Sequence, residues 1–133
     1  MAGDVAFTAG PLKFQLEFVD TDPMDLGVQA RLEVAYSGGS QNLKWTAARL
    51  WFEYEALSRF DSELRDGCRA RLLDMSVYEV LHFERQSSRE YLTINPPSQR
   101  QLQDGDCMAI RLKIHSGCVR QLYEAFNQFG KWW

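Results

Sequence analysis

The chain has 133 residues, of which 45% are apolar and 25% charged, and these near-average values exclude a largely disordered chain. Its net charge of −3, with acidic and basic residues interspersed, argues against a nucleic-acid binder, which would carry a basic stripe for phosphates. No signal-peptide pattern and no apolar stretch long enough for a membrane span is present, so we expect a soluble cytoplasmic protein with no membrane partner. We predict one α+β domain over residues 1–133, of which 1–10 form a loose leader.

Alternating apolar and polar residues predict three strands in the first part of the chain. The alternation covers 11–19 and 27–36, and it is the period-2 pattern of half-buried strands. A third strand over 43–52 is predicted to carry Trp45 and Trp51 on one side.

The apolar period then changes and predicts two helices separated by four more strands. Apolar residues at three- and four-residue steps indicate a helix over 53–66 that ends at Gly67, and a second helix over 117–130 with Ser116 as its N-cap. The strands between them are predicted at 69–75, 78–85, 89–95 and 107–115. The prediction is therefore an antiparallel sheet of about six to seven strands packed by two amphipathic helices. The helical residues expected to be buried are Leu57, Phe60, Leu64, Val119, Leu122 and Phe126.

His115 and Cys118 are the pair most suggestive of catalysis. Cys118 falls in the first turn of the second predicted helix, where unpaired N–H groups and the helix dipole would lower the pKa of a thiol. His115 lies just upstream and could act as its base. The competing interpretation is a packed cysteine beside a surface histidine. Because no orienting third group or oxyanion motif is visible, we do not predict a catalytic site.

Metal and cofactor motifs are likewise missing from the sequence. Cys68, Cys107 and Cys118 form no Cys-x-x-Cys knuckle, so we expect free thiols and no zinc. No glycine-rich phosphate loop is present either, and we predict no cofactor. Trp132 and Trp133 are expected either to pack back onto the domain or, with the second helix, to form a homodimer contact.

The order of the predicted elements resembles that of the WapI-like family. These are small immunity proteins encoded beside secreted polymorphic toxins in bacteria. The resemblance covers Leu12 to Phe129 and rests on element order and on scattered apolar positions. Those positions are Trp51, Leu57, Phe60, Leu64, Leu112 and Leu122. It implies a protein that binds and blocks a cognate toxin without turnover, and it assigns no functional residue.

We predict that the chain is a non-enzymatic protein-binding domain, for instance an immunity protein that inhibits a cognate toxin. Acidic side chains would steer a basic partner toward the complex. The residues predicted to contact it are Asp20, Asp22, Asp25, Glu55, Asp61 and Glu63. Two alternatives stay open: a small ligand-binding or enzymatic domain with a site near His115 and Cys118, and a homo-oligomeric structural subunit.

Overall fold

The computed structural model of the protein describes residues 3–22, 24, 27–76, 79–94 and 109–128. These residues form eight β-strands and two α-helices. In chain order the elements are β1 (Gly3–Ala9), β2 (Leu12–Asp22), β3 (Gly27–Gly38), β4 (Gln41–Glu53), α1 (Tyr54–Asp66), β5 (Arg69–Leu73), β6 (Glu79–Gln86), β7 (Arg89–Ile94), β8 (Ile110–Ile114) and α2 (Cys118–Gln128).

The strands of the described residues form two antiparallel meanders of four strands each. The first sheet has the order β1-β2-β3-β4 and the second the order β5-β6-β7-β8. The α+β class and the antiparallel pairing are thereby confirmed, whereas the prediction of a single sheet of six to seven strands is wrong. The break falls at α1, whose 13 residues carry the chain about 20 Å from the end of β4, so that β5 starts a new sheet.

The prediction of a loose leader over 1–10 is also wrong. From Gly3 to Ala9 the chain forms β1, which pairs with β2 along its whole length. Val5 and Ala9 are buried, and Gly10 makes the two-residue turn into β2 with a φ of +58°. The alternation in β1 is carried mainly by small residues, which is why the period-2 signal was weak there.

A bulge in β4 changes which face its tryptophans occupy. The pairing of β4 with β3 shifts between Ala47 and Leu50, and Arg49 has a φ of 61°. The extra residue reverses the alternation, so Trp45 packs against the core while Trp51 lies between the buried Leu50 and Phe52, on the opposite face. The prediction that both tryptophans share one side is therefore wrong.

One hydrophobic core joins both sheets and both helices. Phe60 of α1 lies with its ring centre 6.3 Å from Phe83 of β6 and 5.7 Å from Phe126 of α2, and Phe14 of β2 lies 6.2 Å from Phe83. The predicted burial of the six helical residues is confirmed. Gly67 ends α1 in the left-handed conformation that was predicted, with a φ of 79°.

Candidate functional site

Three connections meet at one end of the first sheet. The antiparallel register brings the end of β2 beside the start of β3 and the end of β4. Two alternate rows across the ends of these strands are Asp20, Gln29 and Trp51 and, at the very end, Asp22, Gly27 and Glu53. Cross-strand partners point to the same face, so Asp20 and Trp51 both lie on the outer face of the sheet, away from the core.

Two apolar side chains are exposed at this end. The pairing of β2 with β3 shifts between Phe18 and Asp20, and the bulge turns Val19 outward until 44% of it is exposed. Met24, in the turn that follows β2, is 90% exposed. Among the described residues, these are the only large hydrophobic side chains that are exposed. Exposed apolar groups that cluster on a surface are typical of contact sites.

The turn after β5 closes the third side of this end. The Met75 N–H donates a hydrogen bond of 2.9 Å to the Trp51 carbonyl oxygen. The Met75 side chain packs over Gly27 and fills the space that a Cβ at position 27 would need. Asp74, just before it, lines a small cavity of about 80 Å³ together with Glu53 and the start of α1. We call this end the acidic tip, and its members are Val19, Asp20, Met24, Trp51, Glu53, Glu55 and Asp74.

Carboxylates dominate the charge of the acidic tip. Three of its four carboxylates line the small cavity together with Arg59. The Arg59 guanidinium lies 3.4 Å from Glu55 in an ion pair whose two side chains are both largely exposed. The backbone of the next residue orients Asp20, because the Thr21 N–H donates a 2.8 Å hydrogen bond to Asp20 Oδ1. The tip therefore presents apolar side chains surrounded by negative charge.

The structure brings together only some of the acidic residues predicted from the sequence. Asp20 and Glu55 lie at the tip, and Asp20 belongs to β2 rather than to a loop. Asp22 ends the same strand, whereas Asp25 lies outside the described residues. Asp61 is half-buried on α1.

Glu63, also predicted as a contact residue, has a structural role. It is half-buried, and its Oε1 accepts a 2.9 Å hydrogen bond from the Arg71 N–H, which ties α1 to the following strand. The members of the tip that the sequence analysis missed are Val19, Met24, Trp51, Glu53 and Asp74. The adjacent apolar pair at 18–19 interrupts the alternation of β2, and this interruption was the available signal for an outward-facing valine.

The group that caps the N-terminus of α2 is not the predicted one. The side chain of Glu90 is buried, and it accepts hydrogen bonds from the backbone N–H of Gly117, at 2.8 Å, and of Val119, at 2.9 Å. A carboxylate from β7 thus caps the helix, and the prediction of Ser116 as its cap is wrong.

Cys118 is inside the core and not poised for reaction. Burial, and next the negative charge of Glu90, raise the pKa of the Cys118 thiol to about 11, so the predicted lowering of this pKa is wrong. His115 is exposed, and its Nδ1 lies 2.8 Å from the carbonyl oxygen of Ser116. A buried, protonated thiol does not supply the nucleophile that the enzymatic alternative requires at this place.

The sequence analysis also made predictions about the three thiols and about Trp132 and Trp133. Cys68 and Cys118 are free, as predicted, and Cys107 lies outside the described residues. Trp132 and Trp133 also lie outside them. The apolar stripe of α2 is packed in the core, and the exposed positions of this helix are all polar: Arg120, Gln121, Glu124, Asn127 and Gln128.

A larger depression lies on the outer face of the first sheet. It has a volume of about 480 Å³ and forms where Ala6 and Ala35 leave space between longer side chains. Lys44 Nζ lies 3.0 Å from Glu33 Oε1, and this hydrogen bond is the main cause that holds the pKa of Glu33 below its ordinary value. Two of its charged side chains are thus already paired with each other, which makes the depression a weaker candidate than the tip.

Comparison of the chain with protein-family models, with curated proteins and with solved structures finds no match. In the part of the chain that the structure describes, no group of three or more His, Cys, Asp or Glu side chains is placed to hold a metal ion. No helix of that part is both long and apolar enough to cross a membrane.

Proposed function

We propose that this chain is a non-enzymatic protein-binding domain that docks a basic partner at the acidic tip. The observation that carries the proposal is that Val19 and Met24 are exposed at the same end of the first sheet as the carboxylates of Asp20, Glu53 and Glu55. The resemblance of the element order to WapI-like proteins gives the proposal its biological form: a bacterial immunity protein whose partner is a cognate toxin.

The apolar members of the tip supply the affinity in this proposal. Fully burying a valine or methionine side chain contributes about 1.5–3 kcal/mol relative to leaving it in water. The half-buried Trp51, in the same cross-strand row as Asp20, is of the residue type most enriched among the energetic centres of protein interfaces. In the proposed complex these three side chains would supply the apolar centre and the carboxylates the polar rim, which is the usual composition of a protein interface.

The carboxylates of the tip determine the kind of partner. Asp20, Glu53, Glu55 and Asp74 would repel an acidic surface and attract one rich in lysine and arginine. Exposed charges of this kind raise the association rate more than the intrinsic affinity, and salt screens their effect. We therefore propose a partner surface that combines basic residues with an apolar cleft.

The tip is carried by paired strands, and this favours a role in recognition. Val28 and Phe52 are fully buried beneath it and hold β3 and β4 together. Side chains on a rigid sheet lose less conformational freedom on binding than side chains on a flexible loop. The positions of Asp20 and Trp51 are thus largely set before a partner arrives.

Co-expression with the toxin domain encoded by the neighbouring gene tests the proposal. We expect the two proteins to co-purify and the toxicity to be relieved. Asp20→Lys and Met24→Ser should weaken both effects, whereas Glu124→Lys, which makes the same change of charge on the exposed face of α2, should not. Failure of the pair to co-purify, or equal losses in all three variants, would contradict the proposal. A turnover that Cys118→Ala abolishes would replace it with the enzymatic alternative.

A further inference from the structure

The outer face of the second sheet carries a second concentration of charge, of the opposite sign. One set of alternate side chains on β5 to β8 packs in the core, so the other set faces outward. Two rows cross all four strands on this side. They are Arg69, Glu84, Tyr91 and Lys113, followed by Arg71, His82, Thr93 and Arg111. We call these two rows the basic face, because they hold four Arg or Lys side chains and one carboxylate.

Two nitrogen atoms of the basic face lack a hydrogen-bond partner among the described residues. They are Nε of Arg71 and Nε2 of His82, and both are buried. The two residues are direct cross-strand partners, and His82 Nδ1 lies 3.0 Å from Glu79 Oε1. An arginine Nε–H is always a donor, and an unpaired buried donor costs about 1–3 kcal/mol. An oxygen-bearing anion would relieve this cost if the half-buried Arg71 side chain turned its Nε–H toward the surface.

Arg111 and Tyr91 stack on each other on the basic face. The Arg111 guanidinium lies over the Tyr91 ring, 4.3 Å from its centre. A guanidinium that stacks on a ring keeps its N–H groups free at its edges, and those edges match the two oxygens of a carboxylate. Arg111 is exposed, so this fork is open to a ligand.

A carboxylate already lies within the face and is stabilised there. The hydrogen bond from Gln86, at 2.8 Å, is the main cause that lowers the pKa of Glu84, and the charges of His82, Arg111 and Arg69 lower it further. The Gln86 amide and the positive charges of the face therefore favour the ionised form of Glu84.

We propose that the basic face docks an extended acidic segment of a second protein, independently of the acidic tip. Along a strand, side chains on one face repeat about every 6.6–6.8 Å, so Arg69 and Arg71 have the spacing of alternate glutamates in an extended peptide. Arg111 and Lys113 repeat that spacing on β8, three strands away, which is about 14 Å.

A nucleic acid fits the basic face less well than an acidic peptide. Single strands are bound by aromatic platforms on which successive bases stack. The two rows carry a single aromatic side chain, Tyr91, and Arg111 covers one side of it.

Fluorescence anisotropy with a labelled peptide of alternating Glu and Ser tests this proposal, and the same peptide with Gln in place of Glu is the control ligand. We expect binding of the acidic peptide that weakens with salt. Arg71→Gln together with Arg111→Gln should weaken it at least about tenfold, which corresponds to about 1.4 kcal/mol. Arg31→Gln together with Arg120→Gln removes the same charge from other surfaces and should leave the affinity unchanged.

A second double variant separates a loss of binding from a loss of folding. Arg71 is half-buried, whereas Arg69 and Lys113 are exposed, so changing the latter two to Gln weakens binding without disturbing packing. The proposal is overturned if the acidic peptide does not bind at low salt, or if the control pair of variants weakens binding equally. It is also overturned if a labelled oligothymidylate binds more tightly than the peptide and depends on the same arginines.

Discussion

The buried carboxylate of Glu90 offers a stringent test of how α2 is attached to the second sheet. It reaches from β7 to the first turn of α2 and accepts the N–H groups of Gly117 and Val119, which lie 27 and 29 positions further along the sequence. Only 4% of Glu90 is exposed. Replacing Glu90 with Ala leaves both donors without this acceptor.

The size of the effect follows from these contacts. Losing a helix cap costs about 1 kcal/mol, and leaving a buried donor unsatisfied costs about 1–3 kcal/mol. The Val119 N–H is buried and the Gly117 N–H only partly so, which places the total for Glu90→Ala at about 3 kcal/mol. Glu90→Gln keeps one acceptor oxygen, so we expect a loss of about 2 kcal/mol.

Urea unfolding followed by circular dichroism measures these losses. With a slope of about 2 kcal/mol/M, Glu90→Ala should lower the midpoint by about 1.5 M without changing the slope. The matched control is Glu124→Ala, which removes an exposed glutamate on the same helix whose ion pair with Arg120 is worth about 0.5 kcal/mol or less. If Glu90→Ala costs no more than Glu124→Ala, the capping role of this carboxylate is refuted.

Three further predictions concern the core, a thiol and an ion pair. Phe60→Ala should lower the free energy of unfolding by about 4 kcal/mol because the rings of Phe83 and Phe126 lose their common neighbour, and a loss below about 1 kcal/mol would contradict this packing. Iodoacetamide followed by mass spectrometry should label Cys68 in the native protein and Cys118 only after unfolding, since the raised thiol pKa and burial protect the latter; equal labelling would refute this. Lys44→Met should raise the pKa of Glu33 toward its ordinary value in an NMR titration. In the wild type, the stabilisation from Glu33 should be present above its unfolded pKa and disappear as the pH falls through the lowered one; an unchanged pKa in Lys44→Met would refute the pairing.

The elements could be predicted from the sequence because their signals are local. The stripe Leu57, Phe60 and Leu64 repeats at helical spacing whatever it packs against, and it is buried as predicted. Which strands pair is a non-local property, and the sequence carried no signal that α1 would divide the strands into two sheets. The bulge beside Arg49 is another example, because one extra residue was enough to move Trp51 to the other face.

The candidate site was predictable only in part, for the same reason. Charge alone pointed to Asp20 and Glu55, and both lie at the acidic tip. The same criterion also selected Glu63, whose Oε1 accepts a hydrogen bond from the Arg71 N–H within the fold. The cap of α2 by Glu90 depends on a contact between distant parts of the chain, so local sequence rules assigned that role to a neighbouring serine.

A photo-crosslinking amino acid placed at a single position tests the central claim, docking at the acidic tip, most directly. Position 24 lies at the tip and is 90% exposed, whereas position 121 is exposed on the polar side of α2 and serves as the control. With the toxin domain present, we predict a crosslinked complex from position 24 and none from position 121. Crosslinking from position 121 alone, or from neither position in a complex that still co-purifies, would contradict docking at the tip.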